Sequence, residues 1–525
     1  MTMTSAPRRV LKQHWGKLLL AGAGVVVVAV IVVLALVAPR WPFREGALKQ
    51  RLEMELHGKA QFAHFHEVFF PHPGAVIDGL VLTPHDSSKP KITAKRLTIH
   101  GLYWGLLGTP KHLKSMSFDG LEVSFPGKQE KSEAKAQGTG GDGASNGASD
   151  GASKDDTRYD EVDAKDSRVV FAGKEGHPAR VYEIYQLVLK NFSITGPMHF
   201  SSSLKIPTPE ANVEVSGVFG PVDPHKLMEA PLAGKFTMKD ANLATFQALY
   251  GTVTANGTFQ GKLGQLKVDG GTETPDFGVK ETAHALPLKT TFTVTVDGTS
   301  GDVQFNEVHA VLGKTKMLAS GQLAKGADKK RTLTLNLSSE DAQIGDLMYL
   351  FVQKKSPLAG PTQFKMQVKL PSGKEPFEKR VEMTAHFGIE NSKFTHRSTE
   401  EKLSQLSEKA RGNPKDENPA LVVTNLAGDV ALKDGIANFS RLDGEVPGAS
   451  AKLRGTYNLQ SHAVDLHGTL ETKVKLSKAT TGFKALVMKI IETVKNDNQR
   501  GATVPVRITG TYEKPNFSVD APAEK

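Results

Sequence analysis

A chain of 525 residues exceeds what one hydrophobic core organises, and predicts either several structural units or one long repetitive one. It has no cysteine, which excludes disulfides, thiolate metal sites, iron–sulfur clusters and a cysteine nucleophile, while its 50 glycines and many Thr and Val residues favour strands and turns. The formal charge is +10, but Arg8, Arg9, Lys12 and Lys17 supply four of these charges. That leaves +6 for the whole chain after Lys17, which argues against a nucleic-acid partner.

Residues 18–38, LLLAGAGVVVVAVIVVLALVA, carry no charge and as a helix span about 31 Å, the thickness of a bilayer core. They read as one transmembrane helix, with Trp15 and Trp41 at the two interfaces. The four basic residues of the 1–17 tail hold the N-terminus in the cytoplasm against the competing Arg40, Arg44, Lys49 and Arg51 on the far side. A cleaved secretory signal ending near Val33-Leu34-Ala35 is the rival reading; the length of the run favours a retained anchor, and either reading exports the rest.

Residues 39–126 form a first β unit, with strand-like stretches at 91–99 and 121–125. From 127 to 165 the chain turns polar and then low in complexity, with Gly-Ala-Ser repeating every four residues after Gly143, and reads as a linker. Period-two alternation then recurs through a repetitive region at 166–385 and a last unit at 386–525. Phe292, Val294 and Val296 alternate with threonines, as do Leu333, Leu335 and Leu337 with Thr and Asn. Phe364, Met366 and Val368 alternate with Lys and Gln. These nine apolar residues are the candidate lining of an apolar groove. Asp269-Gly270, Asp297-Gly298, Lys433-Asp434-Gly435 and Pro447-Gly448 read as the turns of antiparallel meanders.

Two internal similarities point to a repeated building block. Asp240-Ala241-Asn242-Leu243 with Phe246, Leu249 and Tyr250 recurs as Asp341-Ala342-Gln343-Ile344 with Leu347, Leu350 and Phe351, at the spacing of a short helix. Gly301, Phe305, Val308 and Gly321 recur as Gly435, Phe439, Leu442 and Gly455 in strand–turn–strand units. Two further helices are expected, a polar one at 399–411 and an amphipathic one at 481–495. In the second, Phe483, Leu486, Val487, Ile490, Ile491 and Val494 form one apolar face; it packs on the sheet, plugs an apolar groove or contacts a membrane surface.

With these features the chain resembles the AsmA family of bacterial envelope proteins, in particular members with an AsmA-like C-terminal domain. The motifs that carry the likeness are Lys95-Arg96-Leu97-Thr98-Ile99 and Met116-Ser117-Phe118-Asp119-Gly120-Leu121-Glu122-Val123 after the anchor. Between Phe387 and Asp520 they are Gly435-Ile436-Ala437-Asn438-Phe439, Val446-Pro447-Gly448-Ala449, Leu453-Arg454-Gly455-Thr456-Tyr457 and the closing Val504-Pro505-Val506-Arg507-Ile508-Thr509-Gly510. The resemblance implies a single-pass inner-membrane protein facing the periplasm and acting in outer-membrane assembly. It also implies kinship with groove-shaped β proteins that carry phospholipid.

The expected fold is therefore mainly β: an anchor helix, then an elongated, curved, groove-like antiparallel sheet with a few short helices. Alternation alone fits a β-sandwich equally well. A strand every ~11 residues over the ~355 residues from 166 to 520 would give roughly 32 strands, or ~150 Å if all lay in one sheet. Phospholipid and the membrane are the expected partners, with envelope proteins as further ones and neither nucleic acid nor a small-molecule substrate. A non-transporting scaffold or regulator of outer-membrane protein targeting and insertion is the alternative. GxxxxGK[ST] and HExxH are absent from the sequence, and GxGxxG (138–143) and GxSxG (143–147 and 147–151) occur only inside the low-complexity linker, where no strand–turn–helix frames them, so no cofactor and no catalytic set is expected. His64 and His66, with His72 nearby, are at most a weak zinc pattern.

Overall fold

The computed structural model describes residues 44–126, 158–395, 424–472 and 502–519, apart from breaks at 57, 88, 107–111, 174–178, 194, 224–225, 247–248, 281–283, 327–330, 351–355, 357, 374 and 512–513. The apolar run 18–38, the Gly-Ala-Ser repeats and the helices expected at 399–411 and 481–495 lie outside the described residues. So do Phe483, Leu486, Val487, Ile490, Ile491 and Val494. Among the described residues no helix is long and apolar enough to cross a membrane.

Strands make up 74% of the described residues and form one large curved sheet of mixed direction. The sequence predicts a purely antiparallel sheet, and one join departs from it. Strands His112–Asp119 and Glu122–Phe125 pair in parallel with Arg158–Phe171. From Arg158 onward the chain is a meander in which each long strand runs antiparallel to the one before, ending with Lys514–Val519. Strand Arg158–Phe171 also begins inside the stretch read as linker. Its opening, RYDEVDAK, is mostly polar, yet Tyr159, Val162 and Ala164 turn inward and are buried.

Among the described residues there are 27 strands, of which 21 lie from Arg158 onward, where roughly 32 are expected; the typical strand runs 10–15 residues and consumes more chain per rung. Four short strands share a rung or reach past a neighbour, which leaves 23 rungs. At ~4.8 Å per rung the sheet measures about 105 Å along its curve.

Helices are short. Glu45–Leu56 packs on the first strand through Leu52, which is buried, and its Glu53 carboxylate accepts from the Ala60 amide at 3.1 Å. The repeated Asp240 and Asp341 segments adopt the same arrangement. Each lies in a strand with a register shift just before the motif's alanine, and Ala241 and Ala342 are fully buried. A short helical turn follows, 3₁₀ at Leu243–Phe246 and α at Ile344–Tyr349. Two-residue strands, Leu249–Tyr250 and Leu358–Ala359, then reach past one neighbour to pair with the next strand but one. The two similar segments thus build the same corner, but the helix expected to reach Leu249 and Tyr250 ends at Phe246 and those two residues are a strand, while the second helix ends at Tyr349 and Phe351 lies outside the described residues.

Turn signals hold at Asp297-Gly298, at Asp434-Gly435 and at Pro447-Gly448, where the sheet register closes directly around them. Asp269-Gly270 is a correction: it lies in the interior of strand Gln265–Val279, and the chain reverses instead at Leu263-Gly264. Gly270 stays extended because it is paired on both sides, with Gly257 and with Phe292.

Candidate functional site

Residues directly opposite each other on paired strands share a sheet face, so the register defines that face residue by residue. Val294 faces Val268 on one side and Phe305 on the other; Val296 faces Leu266 and Val303; Phe292 faces Gly270 and Val308. Leu333, Leu335 and Leu337 face Leu323, Gly321 and Ala319 on one neighbour, and Leu370, Val368 and Met366 on the other. Phe364 faces Ser339 and Phe387. All nine residues picked out by alternation lie on this one face. It continues through Val430, Phe439, Gly455, Leu466 and Ile508 to Phe517.

The face changes character along the chain. Before residue 297 its side chains join one contiguous buried core that runs from Leu52 to Val296. Beyond it most of the large ones are only half-buried. Leu333, Leu335, Leu337, Met366 and Val368 all keep part of their surface exposed, as do Val430, Phe439, Leu453, Leu466 and Ile508. Val294, Val296 and Phe364 are buried, at 7%, 6% and 5% exposure.

One device recurs on this face and is hard to see in a linear sequence. Phe200, Gly217, Gly234 and Phe259 line up across four neighbouring strands, and Phe236, Gly257, Gly270 and Phe292 repeat the pattern one step on. Further along, Phe305 lies opposite Gly321, Phe387 opposite Gly428 and Phe439 opposite Gly455. The rings occupy the space a side chain would need. A Cβ on Gly234 would come within 2.7 Å of Phe259 Cζ, one on Gly257 within 2.9 Å of Phe236 Cε1 and one on Gly428 within 2.7 Å of Phe387 Cζ. At Gly234, Gly257, Gly270 and Gly428 the ring covers the bare backbone of its glycine, an arrangement that stabilises glycine-bearing strands. Sequence reasoning missed Phe200, Phe236, Phe259, Phe305, Phe387 and Phe439 as a set. The available signal was the glycines that interrupt otherwise regular strands.

The opposite face is polar and laced with exposed ion pairs between register partners. Asp429 accepts from His386 and, at 2.6 Å, from Arg441, which also reaches Asp443 at 3.1 Å. Hydrogen bonds from Arg441 and then His386 hold the Asp429 carboxyl at about 2, well below the usual carboxylate range. Arg507 donates twice to Asp465, at 3.0 Å each, which lowers that carboxyl as well. The other resolved carboxylate shifts, at Asp78, Glu122, Asp269 and Asp297, are also downward. Such groups are fixed acceptors on a wet face; a general acid would be shifted upward.

His64 and His66 share a face of strand His64–Val68 with rings 6.5 Å apart, while His72 turns away to Lys114, 2.7 Å distant. Among the described residues no group of three His, Cys, Asp or Glu is placed to hold a metal ion. One buried cation is structural: Arg331 donates to the Gly301 and Ser300 carbonyls at 2.7 and 2.6 Å and pins the turn that follows Val296. Compared with known proteins, the chain matches no family model and no curated sequence.

Proposed function

We propose that this chain is an AsmA-like protein, held in the bacterial inner membrane by residues 18–38 with its bulk in the periplasm. In this reading it serves outer-membrane assembly by sheltering phospholipid acyl chains along an elongated apolar groove. The observation that carries the reading is the largely half-buried face that runs from Val303 to Ile508, mostly apolar with Ser339 among its few polar members, backed by a charged outer face. A face of this kind left to water is costly, and each acyl CH₂ laid on it recovers about 0.8 kcal/mol. In this reading the lipid headgroup stays in water at the sheet's margin.

The test is the lipid content of the full chain compared with a Leu335→Asp, Val368→Asp variant, whose two residues face each other at the centre of the half-open region. Mass spectrometry of the purified proteins should find extra bound phospholipid in the wild type, lost in the variant while circular dichroism is unchanged. Equal lipid in both, with the fold intact, sinks the lipid-holding reading and assigns the chain to a non-transporting scaffold.

A further inference from the structure

The four most exposed large apolar side chains among the described residues are Trp104 at 87%, Phe70 at 85%, Phe69 at 65% and Tyr103 at 53%. They come from two loops, 69–73 and 102–106, which are neighbours because Gly74 and His100 are register partners. The Tyr103 hydroxyl donates to the Phe69 carbonyl and ties the loops together. Scattered exposed apolar residues need no explanation, but four aromatics concentrated in one tied pair of loops do.

The chemistry around them is basic. From Leu97 to Phe118 the sequence contains no carboxylate and carries His100, Lys111, His112 and Lys114. His112 pairs with Asp160 of a neighbouring strand at 2.6 Å, so among the described residues Lys114 is the cation that faces the loops. Lys114 sits 2.7 Å from His72 in the first loop. Trp and Tyr beside Lys are the residues that settle at the headgroup level of a bilayer, and the basic groups suit anionic lipid.

The path of the chain gives the direction. The contact between Glu53 and Ala60 folds helix Glu45–Leu56 back along the strand that follows it, so the helix and strand Gly58–Gln61 run antiparallel. The next strand, His64–Val68, runs on toward Phe69, because Val68 pairs with Gly74. The start of the helix therefore points to the end of the sheet where the aromatic loops lie. Only six residues separate Glu45 from the apolar run that ends at Ala38.

We propose that loops 69–73 and 102–106 rest in the headgroup layer of the membrane that holds the 18–38 anchor, docking this end of the sheet on the lipid surface. The inference depends on the anchor reading, and one experiment separates the two. The full chain is reconstituted in vesicles of phosphatidylcholine and phosphatidylglycerol, with or without bromine on the upper acyl carbons. It is prepared in two single-tryptophan forms. W15F/W41F retains Trp104, and W15F/W104F retains Trp41.

Loss of Trp104 emission in brominated vesicles, reduced again by Phe69→Ser with Phe70→Ser, supports the contact. Quenching of Trp41 but not Trp104 overturns it and leaves the anchor standing; a protein partner on these loops would give that result. Quenching of neither overturns both. Quenching of Trp104 alone supports the surface contact and removes the anchor.

Discussion

The two halves of the sheet use the same strands for different ends. In the half before residue 297 the apolar face closes on itself: Ile77, Met116 and Leu189 are at 0% exposure and belong to one contiguous core. In the half after residue 303 the same alternation and the same Phe–Gly pairs recur, yet the large side chains stay half-exposed. Local alternation is not what differs: Ala211, Val213 and Val215 alternate with Asn and Glu before the boundary as Leu333, Leu335 and Leu337 alternate with Thr and Asn after it. The difference is how far that face is covered: one contiguous buried core takes it up before residue 297, and most of it stays half-exposed after residue 303. The first half spends its apolar surface on stability, and the second leaves it available to a ligand.

Mutations can break this contrast. Phe118→Ala, at 1% exposure in the closed half, should cost about 3–5 kcal/mol in urea unfolding. Phe439→Ala, half-buried in the other half, should cost about half of the ~1.5–3 kcal/mol expected for a fully buried side chain. Equal losses would mean that the second half is packed as tightly as the first.

Gly321→Val probes the sheet's geometry. Gly321 has φ +148°, and a Cβ there would collide with the Thr334 carbonyl; the strain should cost about 1–3 kcal/mol. Gly455, at φ +142° and opposite the matching Phe439, should show the same sensitivity; a tolerated valine at either would deny the repeat its structural role. The Leu335→Asp, Val368→Asp pair should move stability far less than Phe118→Ala, because both sites already meet water, while removing bound lipid.

The smallest effect concerns the outer face. Asp429 titrates at about 2 when folded, below the ~3.9 of an unfolded carboxylate, so its ionised form stabilises the fold above about pH 4. That contribution fades as pH falls toward 2 and is gone below it. Asp429→Asn should flatten the stability profile between pH 4 and 2 and leave pH 7 lipid content unchanged.

Much of the fold was legible because alternation is a local property. Phe292 to Val296, Leu333 to Leu337 and Phe364 to Val368 each announce a face, and the sheet then carries that face from strand to strand. The recurring Asp240 and Asp341 motifs were legible as well, since both shape the same corner. What the sequence hid depends on distance along the chain. The parallel pairing of His112–Asp119 with Arg158–Phe171 spans the intervening low-complexity stretch, which no local pattern encodes. Asp269-Gly270 resembles a turn by residue type, but strands distant from it in sequence pair with it on both sides, through Gly257 and Phe292, and hold it straight. Closure of the first half and openness of the second are likewise properties of the whole curve.

Position-specific photo-cross-linking in cells tests the central claim most directly. A photoreactive amino acid is placed at Leu335 and Leu453 on the half-open face, and at Thr334 and Lys452 on the charged face. The account predicts phospholipid adducts at Leu335 and Leu453 and none at Thr334 or Lys452. Adducts on both faces alike, or on neither, would contradict it.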